Sequence, residues 1–191
     1  MTILDAGHSR PLEGGPSFSL GNRIARAIWG IAWLLLARWT PPPLHGWRRA
    51  VLRMFGASMA AGARVHASTI IWYPPHLVMG AQALMGPRVR CYNQGRIEIG
   101  ARAIVSQGAH LCAGTHDIAD PDFQLVVRPI RIGAGAWVAA DAFVGPGVTI
   151  GDGAVLAARG ALFRDMPPAT VWSGNPAAFL KQRIMRSAGE R

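Results

Sequence analysis

His116 is the side chain best placed to do chemistry, because it stands beside Asp117 at a point where a regular repeat in the sequence breaks. A histidine has a pKa close to neutral and can therefore take a proton from an alcohol at physiological pH. A carboxylate or a carbonyl on its other ring nitrogen would fix the tautomer. Asp117 could supply that carboxylate, or it could serve only to turn the loop. The pattern predicts a general base at His116.

A metal site and a nucleophilic thiol are the alternatives that these residues raise. A catalytic zinc needs three protein ligands that meet at one point, whereas His110 and His116 are one repeat apart and face different directions. Cys112 lies in the same repeat as His116, but no electropositive setting that would lower its pKa is visible in the sequence around it. We expect no metal requirement, and we expect Cys91 and Cys112 to be reduced thiols.

A strict six-residue repeat predicts the elements that position His116. From Ile132 to Leu162 an aliphatic residue returns every six positions, and each unit up to Gly160 has a small or short residue four places later. This period matches neither an α-helix nor a plain strand. It is typical of a solenoid in which each short strand buries one aliphatic side chain and then turns a corner. The sequence therefore predicts a mainly β solenoid.

The repeat continues towards the N-terminus with irregularities. It slips by two residues near Tyr73 and again between Cys91 and Ile97, and it is then regular up to Leu111. Residues 116–129 do not fit it. An insertion of this length leaves a solenoid as a loop, and such loops often carry function.

Four segments follow from these patterns. We predict a loose N-terminal arm over 1–21, a helical cap over 22–60, a β-helix over 61–170 with a loop at 116–130, and a C-terminal turn and helix over 171–191. The C-terminal helix is expected to begin at Pro176 because a turn precedes it.

Two amphipathic helices are predicted in the cap. The first begins at Asn22, as the N-cap, and ends before Pro41, and the second covers 46–55. The first contains an apolar run of eleven residues, Ala27 to Ala37, which is too short to cross a bilayer. These basic helices could cap the open end of the solenoid, pack between subunits or rest on an anionic membrane. Capping is the interpretation that we favour, and it is compatible with the others.

The net charge of +10 comes almost entirely from arginine, since Lys181 is the only lysine. Such a charge favours anionic partners in general, including membrane surfaces and phosphorylated ligands. No cluster of basic and aromatic residues resembles a nucleic-acid-binding module, so we do not expect nucleic acid as a partner. The N-terminus does not resemble a secretory signal, and we expect a cytoplasmic protein.

The repeats resemble those of the hexapeptide-repeat acyltransferases, which fold as left-handed parallel β-helices, form trimers and use coenzyme A thioesters. The segment Ala113-Gly114-Thr115-His116-Asp117 and the later Pro129-Ile130-Arg131-Ile132-Gly133 resemble the maltose and galactoside O-acetyltransferases. Trp47-Arg48-Arg49 and Gly174-Asn175-Pro176-Ala177 resemble the colanic-acid-biosynthesis type. The resemblance spans roughly residues 18–183.

This resemblance implies roles for particular residues. His116 is expected to be the catalytic base, and Asn93 to help position the acceptor and the intermediate. A backbone N–H at Ala139 or Ala140, after Trp137, would meet the oxyanion.

Further positions follow for coenzyme A. The pantetheine arm is expected against Ala140 and Ala158, in a groove between neighbouring subunits. Phe163, Arg164 and Lys181 would contact the nucleotide end, where cations suit phosphates. Ala178 stands where the family has a second basic residue, so Arg183 is the alternative contact.

The expected function is transfer of an acetyl group from acetyl-CoA to a sugar hydroxyl in exopolysaccharide or capsule biosynthesis. Trp72, Tyr73, Tyr92 and Asp120 could line the sugar pocket by stacking and hydrogen bonding. A homotrimer is expected, with peripheral association at the inner face of an anionic membrane as a further hypothesis. The alternatives are an amine or another small acceptor, or a non-catalytic β-helix scaffold.

Overall fold

The computed structural model describes residues 15–185, in which two helices precede a three-faced parallel β-helix. The helices are α1 (Leu20–Leu36) and α2 (His45–Met54). Most strands of the β-helix contain only two or three residues, as a six-residue unit with one corner requires.

Each face of the prism is a parallel sheet in which successive coils stack. The first face contains β1 (Ser58–Met59), β4 (Leu77–Met79), β7 (Ile97–Ile99), β12 (Ile130–Ile132) and β15 (Thr149–Ile150). The second contains β2 (Arg64–Val65), β5 (Leu84–Met85), β8 (Ile104–Val105), β13 (Trp137–Val138), β16 (Val155–Leu156), β18 (Thr170–Gly174) and β19 (Ala177–Gln182). The third contains β3 (Ile70–Ile71), β6 (Arg90–Tyr92), β9 (His110–Cys112), β14 (Phe143–Val144) and β17 (Ala161–Leu162). A separate hairpin consists of β10 (Gly114–His116) and β11 (Leu125–Val127).

The aliphatic residue of each unit points into the prism. Ile132, Val138, Val144, Ile150 and Leu156 are all essentially buried. The small residue four places later is buried as well, because the backbone of the next corner leaves no room for a larger side chain. The predicted left-handed parallel β-helix of hexapeptide repeats is therefore confirmed.

Glycine is required at the corner that follows the first face. A Cβ on Gly80 would lie 2.5 Å from the nitrogen of Ala101, and one on Gly100 would lie 2.6 Å from the nitrogen of Ala134. Neighbouring coils meet backbone to backbone here, which explains why glycine follows the aliphatic residue in this unit.

The helices pack against the first coil. Trp29 and Trp33 of α1 join Val51 and Leu52 of α2 in one continuous core with the β-helix, and the Trp29 indole donates a hydrogen bond of 2.7 Å to the carbonyl of Ile71. Both helices thus pack on the first coil, and capping stays our interpretation of the segment 22–60. No helix within the described residues is both long enough and apolar enough to cross a membrane.

The cap is locked by a fully buried arginine. The Arg48 guanidinium donates to the carbonyls of Val65, Pro41 and Pro42 and to the hydroxyl of Thr40. Burial lowers the pKa of Arg48, but carbonyl oxygens on every side satisfy its donors. The Pro-rich turn is therefore tied to α2 and to the second face.

Two local predictions are wrong. Ser19, not Asn22, is the N-cap of α1, since the Ser19 hydroxyl accepts a hydrogen bond of 3.3 Å from the backbone N–H of Asn22. The predicted C-terminal helix is a strand over Ala177–Gln182, paired antiparallel with β18. The reason is non-local: β18 stacks on β16 and presents an open sheet edge, which the chain fills after turning at Asn175. Most of the predicted arm, 1–14, lies outside the described residues.

Candidate active site

Enlarged corners stack on one edge of the prism, between the third face and the first. After β3 the chain makes a 3₁₀ turn over Pro74–His76, after β6 it passes through Asn93 and Gln94, and after β9 it leaves as the hairpin β10–β11. The register slips and the long insertion seen in the sequence therefore occupy the same edge in three consecutive coils. We call this edge the irregular edge.

The hairpin carries His116 out from this edge. Gly114 lies opposite Val127 and His116 opposite Leu125. At the base of the hairpin the N–H of Arg128 donates a hydrogen bond of 2.9 Å to the carbonyl of Ala113. The chain then rejoins the first face, where β12 stacks on β7. His116 is thus the last residue of a strand that projects from the regular body.

The His116 imidazole is exposed and is held at one nitrogen. Its Nδ1 lies 2.6 Å from the carbonyl oxygen of Phe123, across the hairpin loop. A carbonyl oxygen can only accept, so Nδ1 carries the proton and Nε2 keeps its lone pair. The Nδ1 side of the ring is therefore tied to the hairpin loop and Nε2 is left with its lone pair, and the role of His116 as a base stays a prediction.

Asp117 and Asp120 shape the loop that supplies this carbonyl. The Asp117 carboxylate accepts a hydrogen bond of 2.9 Å from the N–H of Ala119, and the Asp120 carboxylate accepts one of 2.7 Å from the N–H of Asp122. The carbonyl of Asp120 then accepts from the N–H of Phe123 at 2.9 Å. Both carboxylates thus stabilise tight turns. The carbonyl of Phe123, rather than the carboxylate of Asp117, bonds to the imidazole.

Asn93 is fully buried in the irregular edge. Its side-chain amide donates a hydrogen bond of 2.7 Å to the carbonyl of Tyr73, and its carbonyl oxygen accepts one of 3.0 Å from the N–H of Tyr73. These bonds join two enlarged corners of adjacent coils. The amide has a structural task here, and its expected contact with the acceptor stays a prediction.

Gln94 and His76 also lie at this edge, and sequence reasoning assigned them no role. The Gln94 amide donates a hydrogen bond of 2.8 Å to the Tyr92 hydroxyl, while its buried Oε1 has no partner among the described residues. That oxygen lies against Gly114, where a Cβ would overlap it. His76 Nδ1 lies 2.7 Å from the carbonyl of Gln94. The register slip between Cys91 and Ile97 is the sequence signal for Gln94, and the slip near Tyr73 is the signal for His76.

Aromatic rings form a row on the third face beside the irregular edge. Trp72 lies 5.9 Å from Tyr92 between ring centroids, Tyr92 lies 6.5 Å from His110, and His110 lies 5.4 Å from Phe143. Tyr73 lies 6.1 Å from Trp72 and 5.0 Å from His76 between ring centroids. A cavity of about 390 Å³ opens at this row, and it is lined by Ile70, Trp72, Arg90, Cys91, Tyr92, His110 and Cys112. Of the four residues predicted to line the sugar pocket, the cavity includes Trp72 and Tyr92 but not Tyr73 or Asp120.

The residues expected to bind pantetheine lie on a different edge, between the second face and the third. Trp137 is exposed, and its indole donates a hydrogen bond of 2.8 Å to the Ser106 hydroxyl. The N–H of Ala139 is already bonded to the carbonyl of Leu156. Ala140 and Ala158 occupy the same corner in successive coils, and within residues 15–185 the N–H of Ala140 has no hydrogen-bond acceptor.

The expected contacts for the nucleotide end are spread over the C-terminal coils. Phe163 and Arg164 are exposed at the corner after β17, and the Arg164 guanidinium lies 5.1 Å from the Trp172 ring centroid. Lys181 is exposed on β19. Arg183 instead donates to the carbonyls of Gly135 and Gly153, and these bonds fasten the C-terminal strand to two corners.

His116 and Ala140 do not meet within one chain. They lie on the two edges that border the third face. About five residues separate those edges, which is ~17 Å at the usual rise of a strand. A single chain therefore holds the base and the candidate oxyanion donor apart.

Other titratable groups do not form a second centre. Burial raises the pKa of the Cys91 thiol to about 12, and the Cys112 thiol donates to the carbonyl of Gly114 at 3.2 Å. Burial, with Arg90 nearby, lowers the pKa of His110. In the described part of the chain no three His, Cys, Asp or Glu side chains are grouped so that they could hold a metal ion.

Comparison with known proteins identifies a relative of this chain. No protein-family model matches the chain. The colanic acid biosynthesis acetyltransferase WcaF of Escherichia coli strain K12 is 40% identical to it over 167 residues, which cover 87% of this chain and 92% of that protein.

Solved structures match the fold closely. A hexapeptide-repeat acetyltransferase from Vibrio cholerae matches with a TM-score of 0.77 at 22% identity, over 86% of this chain and 93% of that one. Galactoside acetyltransferase in complex with coenzyme A matches with a TM-score of 0.73 at 20% identity, over 88% of this chain and 85% of that one. At these identities the structures establish the fold.

Proposed function

The chain belongs to the hexapeptide-repeat acetyltransferases, and on that premise we propose that it transfers the acetyl group of acetyl-CoA to a sugar hydroxyl during exopolysaccharide or capsule assembly. The relative from Escherichia coli is named for colanic acid biosynthesis, and the galactoside acetyltransferase was solved with coenzyme A bound. The observation that carries the proposal is the His116 imidazole, held at Nδ1 by the Phe123 carbonyl with Nε2 exposed.

In the proposed reaction Nε2 of His116 removes the proton from the acceptor hydroxyl while the oxygen attacks the thioester carbonyl. The tetrahedral intermediate then collapses and expels the coenzyme A thiolate. That thiolate takes the proton back from the imidazolium, so the histidine returns to its starting state. Because the carbonyl of Phe123 accepts from Nδ1–H, it stabilises the imidazolium that forms in between.

The N–H of Ala140 is the oxyanion donor that we favour. The N–H of Ala139 is already used in the coil-to-coil ladder, since it donates to the carbonyl of Leu156. An N–H with no acceptor in the described chain is free to donate a hydrogen bond to an oxygen on which negative charge develops. Ala158 repeats this corner one coil later and would support the pantetheine arm.

A homotrimer is part of the proposal, because His116 and Ala140 lie on different edges of the prism. Packing the irregular edge of one subunit against the Ala140 edge of its neighbour would bring base and donor together. Exposed Trp137 and Phe163 lie on these two edges and would be covered by such packing.

The acceptor would bind in the cavity of the aromatic row. Tyr92 offers a ring on which a sugar can stack, whereas the Trp72 ring is contacted by the Arg26 guanidinium at 4.2 Å and by Phe18 at 4.8 Å and so supports the wall of the cavity. Cys112 lines the same cavity and bonds to Gly114, two residues before His116. At the rise of a strand this spacing is ~7 Å, so a sugar held in the cavity lies within reach of the base.

Acetyl-CoA would extend from this centre towards the C-terminal coils. Arg164 and Lys181 are exposed and can meet its phosphates. Arg183 donates through one guanidinium nitrogen to the carbonyls of Gly135 and Gly153, so its remaining N–H groups are the alternative contact for a phosphate. We place the reaction in the cytoplasm, at the inner face of the membrane.

Replacing His116 with alanine tests the proposal. The side chain is exposed, so the fold should be unchanged, and the rate of acetyl transfer should fall by about 10²–10⁴-fold, as expected for a lost general base. His66→Ala is the matched control, because His66 sits on the first coil and its imidazole, within the described residues, bonds only to Ser68. Transfer is measured as thiol release from acetyl-CoA with nucleotide sugars and lipid-linked glycans as acceptors.

The outcomes separate the alternatives. An unchanged rate in His116→Ala rejects the assignment. Transfer to amino sugars but not to their hydroxyl analogues would assign an amine acceptor. A folded protein that binds neither acetyl-CoA nor any glycan would be a scaffold.

A further inference from the structure

Helix α1 has apolar residues on two opposite sides. Trp29, Trp33 and Ala37 face the β-helix and are buried. Large aliphatic residues on the opposite side lie outside the core, and they recur with the spacing of one helix face. We call them the apolar stripe: Leu20, Ile24, Ile28, Ile31, Leu34 and Leu35.

The apolar stripe is unusually exposed for aliphatic side chains. Its members are between 51% and 67% exposed, although α1 is well packed on its other side. Isolated exposed leucines need no explanation, but a contiguous patch of this kind marks an interaction surface. A helix of 17 residues is ~25 Å long, so the stripe runs along a substantial part of the cap.

Two indoles extend the surface at the C-terminal end of α1. The Trp39 N–H donates a hydrogen bond of 2.6 Å to the carbonyl of Leu35, and the Trp47 N–H donates one of 2.6 Å to the carbonyl of Leu36. Both rings are exposed. Indole rings with an apolar body and a polar edge are typical of the membrane–water interface.

The surroundings of the stripe are cationic. No acidic residue occurs between Glu13 and Glu98, whereas ten arginines lie in this interval. Arg23 and Arg38 are exposed near the two ends of the stripe. An apolar helix face bordered only by cations is complementary to a surface that offers both hydrocarbon and negative charge.

We propose that α1 lies flat on an anionic lipid bilayer, with the apolar stripe inserted at the boundary between headgroups and acyl chains. Arg23 and Arg38 contact the lipid phosphates, and Trp39 and Trp47 sit at headgroup level. The inference specifies the surface behind the proposed membrane location, but it rests on none of the transferase chemistry.

A second copy of the chain is the alternative partner for the apolar stripe. Two caps that met stripe to stripe would bring Arg23 and Arg38 against the same arginines of the partner. No carboxylate between Glu13 and Glu98 is available to neutralise them. Charge complementarity therefore favours lipid over a second cap.

Vesicle binding by the full-length protein tests the inference. Vesicles of phosphatidylcholine alone are compared with vesicles that also contain phosphatidylglycerol, in low and in high salt. Binding to the anionic vesicles should be stronger by on the order of tenfold or more, because each arginine near the surface contributes separately. High salt should weaken binding by screening this attraction.

Substitutions then assign the surface. Ile31→Glu/Leu35→Glu places two charges in the stripe and should abolish vesicle binding without unfolding the exposed helix face. Ile184→Glu makes the same change at a residue that is 90% exposed near the other end of the chain, and it should leave binding unchanged. The molar mass of each variant is measured in solution by light scattering.

Each result decides the matter. Loss of binding at unchanged mass in the double variant supports the inference. Wild-type protein that ignores anionic vesicles, equal binding to neutral vesicles, or a double variant that still binds would overturn it. A change of mass in the double variant would also overturn it, because the stripe would then be a contact between copies. Activity separates this from the transferase proposal: His116→Ala should bind vesicles normally, and the double variant should acetylate a soluble acceptor normally.

Discussion

The two halves of the β-helix are built from the same six-residue unit, but the first half contains extra residues between units and the second half contains none. Stacked core positions Met59, Met79 and Ile99 are 20 residues apart, and Ile99 and Ile132 are 33 apart, whereas Ile132 and Ile150 are 18 apart. Eighteen residues are three six-residue units with nothing added. The additional residues of the first half all lie at the irregular edge.

The regular half serves as the scaffold, and the irregular half carries the candidate site. In the regular half each corner closes tightly and leaves few side chains free of packing or ladder bonds. In the irregular half the enlarged corners present His116, Gln94 and the rim of the cavity while the core beneath continues unchanged. Extra residues at one edge therefore add surface side chains, among them those of the candidate site, without disturbing the stack.

The largest effect on stability is expected in the regular half. Ile150→Ala should lower the free energy of unfolding by about 2–5 kcal/mol. The Ile150 side chain is fully buried, and its removal leaves a cavity that the surrounding side chains can fill only partly. Thr149→Ala, on the outward side of the same strand, should cost about 0.5 kcal/mol. Urea unfolding followed by circular dichroism measures both. A similar loss in the two variants would contradict the inward stacking.

The largest effect on activity from a change remote from the base is expected at the hairpin root. Gly114→Ala would place a methyl group where Gln94 Oε1 and Cδ lie, so either the buried Gln94 side chain, which is bonded to the Tyr92 hydroxyl, or the strand that carries His116 must move. A shift of 1 Å at a catalytic group can cost about 10²-fold in rate, so kcat/KM should fall by that order. Steady-state kinetics at a temperature where the variant is folded provide the measurement.

Removing the clash should restore part of that loss. In Gln94→Ala/Gly114→Ala the added methyl group meets only the Cβ of residue 94, at an ordinary contact distance of 3.7 Å, so the double variant should be more active than Gly114→Ala alone. Additive losses in the two substitutions would show that the root of the hairpin does not position His116.

The regular coils could be read from the sequence because their signal is local and repeated. The position of the hairpin could be read as well, since it is where the repeat stops. What could not be read is non-local. The acceptor for His116 Nδ1 is a backbone carbonyl seven residues away, and a carbonyl has no sequence signature. The strand at Ala177–Gln182 resembled a helix because only the folded sheet supplies its pairing edge.

The stability of the two halves of the β-helix should also depend differently on pH, although this effect is smaller. Burial lowers the pKa of His45, His66 and His110, with Arg48 or Arg90 adding repulsion, and all three precede the regular half. In the unfolded chain these histidines bind protons below the usual histidine pKa of about 6.5. In the folded chain they bind protons only at lower pH. Their neutral forms therefore allow full stability of the folded state above about pH 6.5, and that stability decreases as the pH falls.

Hydrogen exchange at pH 5 and pH 7 measures this prediction. Protection factors, which correct for the slower intrinsic exchange of amides at pH 5, should fall in the cap and the first three coils at the lower pH, whereas those of β14 to β17 should change least. His66→Gln should reduce the difference. A uniform fall over both halves would show that these histidines do not determine it.

The smallest effect is expected at the carboxylate beside the base. Asp117→Asn keeps an oxygen that can accept from the N–H of Ala119, so kcat/KM should change by less than about tenfold, in contrast to the loss of about 10⁴ when the carboxylate of a catalytic triad becomes an amide. Asp117→Ala removes the acceptor, loosens the turn and should cost more. A loss in Asp117→Asn that equals the loss in His116→Ala would assign the carboxylate a direct role in the reaction.

The protonation of His116 tests the central claim most directly. Protein containing ¹⁵N-labelled histidine is examined by long-range ¹H–¹⁵N correlation at a pH where the imidazole is neutral, and His116 is assigned by comparison with His116→Ala. The hydrogen bond from Nδ1 to the carbonyl of Phe123 predicts the proton on Nδ1 and the lone pair on Nε2. A proton found on Nε2 would contradict the account, because the outward nitrogen could not then act as the base.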